Sequence, residues 1–207
     1  DIFGANTYAA DPRKDFLNWN AYGGGSFDIT MNKIGYTWGA IADLNQRDWA
    51  FRVGYFLLPT ISNVNTFDTT IPTRGQYTAE TELRYSMFSQ PGKLRLFGWL
   101  SHGIMGDFHA ATAAAALNGG PADIVATRTT RSNWGLLANV EQAITDDLGL
   151  FGRVSWSPGH RELLGWTDVS EAISGGLSLK GTAWSRPDDR IGVAGIIDGL
   201  SPEVSSH

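Results

Sequence analysis

Apolar and polar residues alternate along most of this chain. Between 49 and 58, Trp49, Phe51, Val53, Tyr55 and Leu57 share one face, and Ala50, Arg52, Gly54, Phe56 and Leu58 the other. Between 76 and 87, Tyr77, Ala79, Thr81, Leu83, Tyr85 and Met87 oppose Gln76, Thr78, Glu80, Glu82, Arg84 and Ser86. A period of two marks a strand with unlike faces. Similar runs occupy 17–27, 35–44, 93–102, 129–143, 148–157, 166–180 and 190–198. The pattern predicts about nine strands. Many reach or exceed about ten residues, where globular strands run to about five or six. Ten residues at about 3.4 Å each, tilted by about 45°, cover about 24 Å of bilayer.

The connections alternate in length. Those at 45–48, 89–92, 145–147 and 184–189 are short; those at 59–74, 103–128 and 158–165 are long. Tight turns at one end and long loops at the other is the layout of an outer-membrane barrel. The stretch 28–34 breaks the rhythm, being a short hairpin where a long loop is due. Aromatics gather near strand ends: Trp19, Phe27, Tyr36, Trp38, Trp49, Tyr77, Tyr85, Trp134 and Trp156. Amphipathic rings favour both membrane–water boundaries. A carbohydrate-binding β-sandwich is the competing reading. It requires Tyr77, Leu83, Trp134 and Leu136 to pack against a second sheet.

Composition narrows the choice. Only 18% of the 207 residues are charged and 12% are aromatic, with 25 Gly, eight Trp and no Cys. Disulfides and thiolate metal sites are excluded. The net charge of −5 argues against a nucleic-acid partner. No run approaches the roughly 18 apolar residues of a spanning helix, a test that says nothing of spanning strands. The N-terminus has no basic start followed by an apolar core.

Catalytic signatures are absent. His102, His109, His160 and His207 form no HExxH or comparable metal spacing, and there is no GxSxG elbow. No metal or cofactor is expected. Glu80 and Glu82 lie about 7 Å apart on one strand face, a spacing that a barrel-embedded hydrolase could use. Two lumen carboxylates beside Arg84 are the simpler reading. Gly23-Gly24-Gly25 has no Lys-Ser/Thr after it and suits tight packing or a bend.

Several blocks resemble the carbohydrate-selective porin (OprB) family. They are Ala10-Asp-Pro-Arg-Lys-Asp-Phe-Leu-Asn-Trp19, Ala42-Asp-Leu-Asn-Gln-Arg-Asp-Trp-Ala-Phe-Arg-Val-Gly-Tyr-Phe56 and Phe88-Ser-Gln-Pro-Gly-Lys-Leu-Arg95. Asn139-Val-Glu-Gln-Ala143, Asp146-Asp-Leu-Gly-Leu-Phe151, Leu177-Ser-Leu-Lys-Gly181 and Arg186-Pro-Asp-Asp-Arg190 complete the set. The resemblance implies an all-β, antiparallel transmembrane β-barrel of about sixteen strands in the bacterial outer membrane. It implies passive passage of sugars, with sugars and outer-membrane lipid as partners and no catalysis. Monomer and homo-oligomer both stay open. Nine strands is an odd number, and bacterial single-chain barrels have even counts. Residues 1–207 are therefore expected to be a single barrel domain, incomplete at both ends.

Alternation nominates the side chains that would face a lumen. They are Asp43 and Arg52, then Glu80, Glu82 and Arg84, then Arg95, followed by Arg131, Asn133, Asn139 and Glu141, and finally Arg153. Guanidinium donors and carboxylate acceptors can exchange hydrogen bonds with passing hydroxyls. Phe97 and Trp99 share the face of Arg95 and are the candidates for stacking on sugar rings. The long connection 103–128, with a short helix expected at 110–117, is the candidate constriction, with an external loop as the other reading.

Overall fold

The computed structural model describes residues 2–165 and 168–205. Eight strands form one antiparallel sheet in chain order. They are β1 (Gly39–Asn45), β2 (Trp49–Phe56), β3 (Gly75–Met87), β4 (Gln90–Met105), β5 (Thr129–Ala143), β6 (Leu148–Trp156), β7 (Glu171–Gly181) and β8 (Arg186–Gly199). Seven of the predicted runs map onto β2–β8 and an eighth, 35–44, onto β1. Trp166 and Thr167, at the head of the run that becomes β7, lie outside the described residues. The short and long ends also hold. Met87 pairs with Gln90 across a two-residue turn, in which Phe88 and Ser89 have φ of 55° and 61°. Two left-handed residues give the turn a twist that matches its strands.

The sheet is inside out by the standards of a soluble protein. Trp49, Phe51 and Val53 on β2 are about 40% exposed, and so are Tyr77 and Trp134. Leu136 on β5 and Ile173 on β7 exceed 50%, and Ile197 on β8 reaches 73%. The opposite face buries Arg52, Glu80, Glu82, Arg95, Asn139, Glu141 and Arg153. A continuous apolar face of this extent is stable when hydrocarbon is its solvent. Cross-strand rings brace it: Tyr55 lies 5.2 Å from Tyr77, and Trp134 lies 5.3 Å from Trp156. The sandwich reading fails here, because the described residues contain a single sheet.

The first part of the chain departs from expectation. Residues 17–27 are not a strand, and 28–34 is not a hairpin between strands. Among the described residues the strand count is therefore eight, not nine. Asn18 caps a one-turn helix, α1 (Trp19–Tyr22), by accepting the Asn20 N–H at 2.9 Å. Residues 3–33 then run across the polar inner face, and Ile34, Tyr36 and Trp38 beyond them are exposed. Local cap chemistry outweighs the weak alternation of a segment with no β-branched residue between 8 and 28. The Gly run explains the fit. A Cβ on Gly24 would stand 1.9 Å from Leu137 Cδ1, and one on Gly25 2.4 Å from Ala172 Cβ. Trp19 and Phe27 belong to this inward segment and not to an aromatic belt.

The long connection after β4 contains α2 (Phe108–Asn118), slightly longer than predicted. Asp107 caps it by accepting the Ala110 N–H at 3.0 Å. It stands at the long-loop end, with Phe108 and Ala111 buried. The inner face is covered by residues 3–33, joined by Leu163 of the connection after β6, and not by 103–128. A last short helix, α3 (Pro202–Ser205), follows β8. Among the described residues, β1 and β8 each have one unpaired edge.

Candidate functional site: the polar inner wall

Strand register builds a ladder of charges. Asp43 on β1 stands opposite Arg52 on β2, which stands opposite Glu80 on β3; Glu82 stands opposite Arg95 on β4. The Arg52 guanidinium reaches Asp43 at 3.3 Å, Glu80 at 2.9 Å and Glu82 at 3.1 Å. Glu82 also holds Arg84 at 2.7 Å and Arg95 at 2.8 Å. Arg95 continues to Glu141 on β5 at 3.0 Å, and Lys93 reaches the same carboxylate at 3.2 Å. Within this ladder each buried charge meets an opposite one, the condition under which a buried ion survives. Glu80 and Glu82 are committed to arginines, which fits the lumen reading of that pair and gives the hydrolase reading no support.

The inward segment is fastened to this ladder. Gly4 N–H donates to Glu80 at 2.6 Å, and Thr7 N–H and Oγ1 donate to Glu141 at 2.7 and 2.8 Å. Asn139 donates to the Gly4 and Ala5 carbonyls at 3.0 and 2.9 Å and accepts from Asn6 at 2.7 Å. Arg153 donates to the Ala21 carbonyl at 2.5 Å and to that of Ala9. Four of the nominated lumen residues, Glu80, Asn139, Glu141 and Arg153, therefore bind the backbone of the inward segment. Phe97 and Trp99 are on the inner face as nominated, but are covered. Phe27 stands 4.7 Å from Phe97 and 6.3 Å from Trp99, and Phe3 stands 5.6 Å from Phe97. A cavity of about 390 Å³ remains between segment and wall, bordered by Tyr22, Phe27, Phe56, Gln76 and Phe97.

Arg131 and Asn133 sit further along β5. Arg131 lies 3.4 Å from Asp107, which also pairs with Arg161; Arg128 pairs with Glu162 at 2.8 Å through Nε. These ion pairs tie the α2 connection to residues 158–165. Burial raises the Asp107 carboxyl, but the Ala110 N–H, Arg161 and Arg131 outweigh it and hold the group below its ordinary 3.8. Asn133 is buried and its Nδ2 has no hydrogen-bond partner among the described residues, as is true of both side-chain polar atoms of Asn20 and of Arg153 Nε.

Sequence reasoning missed the inward segment and with it Asn6, Asp28 and Gln76. Gln76 donates to the Asp28 carbonyl at 2.7 Å and to Ser101 Oγ at 3.0 Å. The Gly triplet was the available signal, since three glycines in a row mark a backbone laid against another surface.

Comparison with known proteins agrees with this geometry. The family model of the carbohydrate-selective porin, OprB family matches residues 1–206. The chain belongs to that family. Among solved structures, the high-pH structure of Pseudomonas putida OprB superposes with a TM-score of 0.63 at 19% identity. The match covers 81% of this chain and 41% of that one, so this chain spans less than half the length of its OprB neighbour. A search of curated proteins finds no match. At this identity the likeness concerns the fold, an antiparallel β-barrel wall.

Proposed function

We propose that this chain forms part of the wall of an outer-membrane porin through which carbohydrates diffuse passively. The observation that carries the reading is the inversion of the sheet: apolar side chains face outward from β2 to β8, and a paired charge ladder faces inward. Membership of the OprB family supports it. Eight strands would be joined by further strands at the free edges of β1 and β8, because the hydrocarbon region does not accept an unpaired edge. On this view residues 1–207 are one portion of a barrel domain.

The ladder suits a neutral solute. Arg52, Arg84, Lys93 and Arg95 face Asp43, Glu80, Glu82 and Glu141. A balanced wall holds no large field of one sign, and each residual hydrogen bond to a hydroxyl stays weak enough to allow release. Arg131 and Asn133 continue the polar wall along β5, Asn139 and Arg153 are taken up by the inward segment, and Phe97 and Trp99 lie beneath that segment, which narrows the passage. The inward segment 3–33 sets the constriction in this proposal.

Single-channel conductance of the full-length protein in a planar bilayer tests the proposal. Saturable block of ion current by neutral mono- and disaccharides is expected. Channels indifferent to every sugar would reduce the function to general diffusion, and folded protein without channels would remove it.

A further inference from the structure

Asp28 lies where three elements meet, and none of the roles above accounts for its carboxylate. It is 1% exposed. Its oxygens accept the N–H groups of Leu164 at 3.2 Å and Gly165 at 2.9 Å. Its carbonyl is held by Gln76 of β3. The arm 158–165 is thereby pressed onto the inward segment. Leu163 packs with Phe97, Trp99 and Leu137, and Leu164 packs with Leu58 and Met105. A Cβ on Gly165 would stand 2.0 Å from the Ile29 carbonyl oxygen, so backbone lies directly on backbone.

No cation pairs with Asp28 among the described residues. From the arm it faces Glu162, whose charge is taken by Arg128, and Asp168 beyond it; Arg161 is turned to Asp107. β3 and β4 contribute the neutral Gln76 and Ser101. Lys33, on the same segment, makes no ion pair with it. A buried carboxylate among acidic neighbours is favoured in its neutral form.

We propose that Asp28 is a proton-controlled latch that holds the 158–165 arm against the inward segment. Burial pushes the carboxyl up to about 6; the Gly165 and Leu164 N–H groups pull against this, and the charges of Asp168 and Glu162 add to it. Once the arm lifts and water enters, the group returns to its ordinary 3.8. The latched form therefore binds the proton more tightly. Its advantage is complete below about pH 4 and is lost as the pH rises through about 6. The consequence for permeation, a mouth that loosens as acid is withdrawn, rests on the porin reading. The latch itself does not.

Hydrogen–deuterium exchange of the full-length protein in nanodiscs tests the latch without requiring conduction. After correction for intrinsic rates, protection of the Leu164 and Gly165 amides is expected to fall on the order of tenfold from about pH 4.5 to about pH 7. Asp28→Asn should flatten that profile. Gly165→Ala should give low protection at both pH values. A flat wild-type profile, or an Asp28→Asn profile as steep as wild type, overturns the proposal. If Asp28→Asn does not fold, infrared titration of the wild-type carboxyl band decides: a midpoint near 6 supports the latch, and one near 4 overturns it. Channels absent while the exchange shift persists would reject the porin reading and leave the latch supported.

Discussion

Arg153 donates to the carbonyl oxygen of Ala21 at 2.5 Å, joining β6 to a residue 132 positions earlier in the chain. The same guanidinium holds the Ala9 carbonyl and lies 5.6 Å from the Phe151 ring centre. No carboxylate forms an ion pair with it among the described residues. One side chain thus closes the stretch between 9 and 21 onto the wall. Arg153→Met in the full-length protein should release that stretch at a cost of about 3 kcal/mol, the worth of two hydrogen bonds from a charged donor. Faster tryptic cleavage after Arg13 or Lys14 and a larger unitary conductance are the expected readouts. Unchanged cleavage would mean that other contacts hold the segment.

Glu82 carries three arginines, Arg52, Arg84 and Arg95. Glu82→Gln keeps the shape and removes the charge, leaving buried cations short of a partner. Loss of one partner in a buried ionic cluster costs about 3–5 kcal/mol. The denaturant midpoint of the variant should drop accordingly. A midpoint equal to wild type would show that the neighbouring carboxylates Glu80 and Glu141 compensate.

Asp107 both caps α2 and pairs with Arg161 and Arg131. Because its carboxyl is held below 3.8 in the folded protein, its contribution is present above that value and fades as acid takes the pH through the lowered one. Exchange in 108–118 should therefore accelerate under strong acid. At neutral pH, Asp107→Asn should keep the cap and lose the ion pairs, while Asp107→Ala should lose both, with about 1 kcal/mol attributable to the cap. Equal exchange in the two variants would show that the cap contributes nothing.

Gly25 has no room for a side chain: its Cβ would stand 2.4 Å from both Ala172 Cβ and Asn20 Oδ1. Ala172 cannot move without β7. Gly25→Ala should lift the inward segment from that strand at a cost of about 1–3 kcal/mol. Crosslinking yield between cysteines placed at 26 and 155, where the Ser26 N–H donates to Ser155 Oγ at 3.1 Å, reads the separation, and wild-type yield in the variant would place the strain elsewhere.

The strands, their faces and the alternation of tight and long ends were legible in the sequence. Period two is imposed by the pleat itself, and a wall between hydrocarbon and water makes the two faces chemically opposite. For the same reason alternation alone assigns Arg52, Glu80, Glu82, Arg95, Asn139, Glu141 and Arg153 to the polar faces of their strands. What those side chains touch was decided by tertiary structure. Cross-strand register brings Glu82 to Arg95, and register depends on pairings that no single strand encodes. Residues 17–27 alternate weakly, so their fate was settled by Asn18 capping, by the fit of Gly24 and Gly25 against Leu137 and Ala172, and by carbonyls that Arg153 could satisfy. Asp28 looks like any turn aspartate in the sequence. Only the folded chain buries it beneath Leu164 and Gly165, and burial is what changes its chemistry.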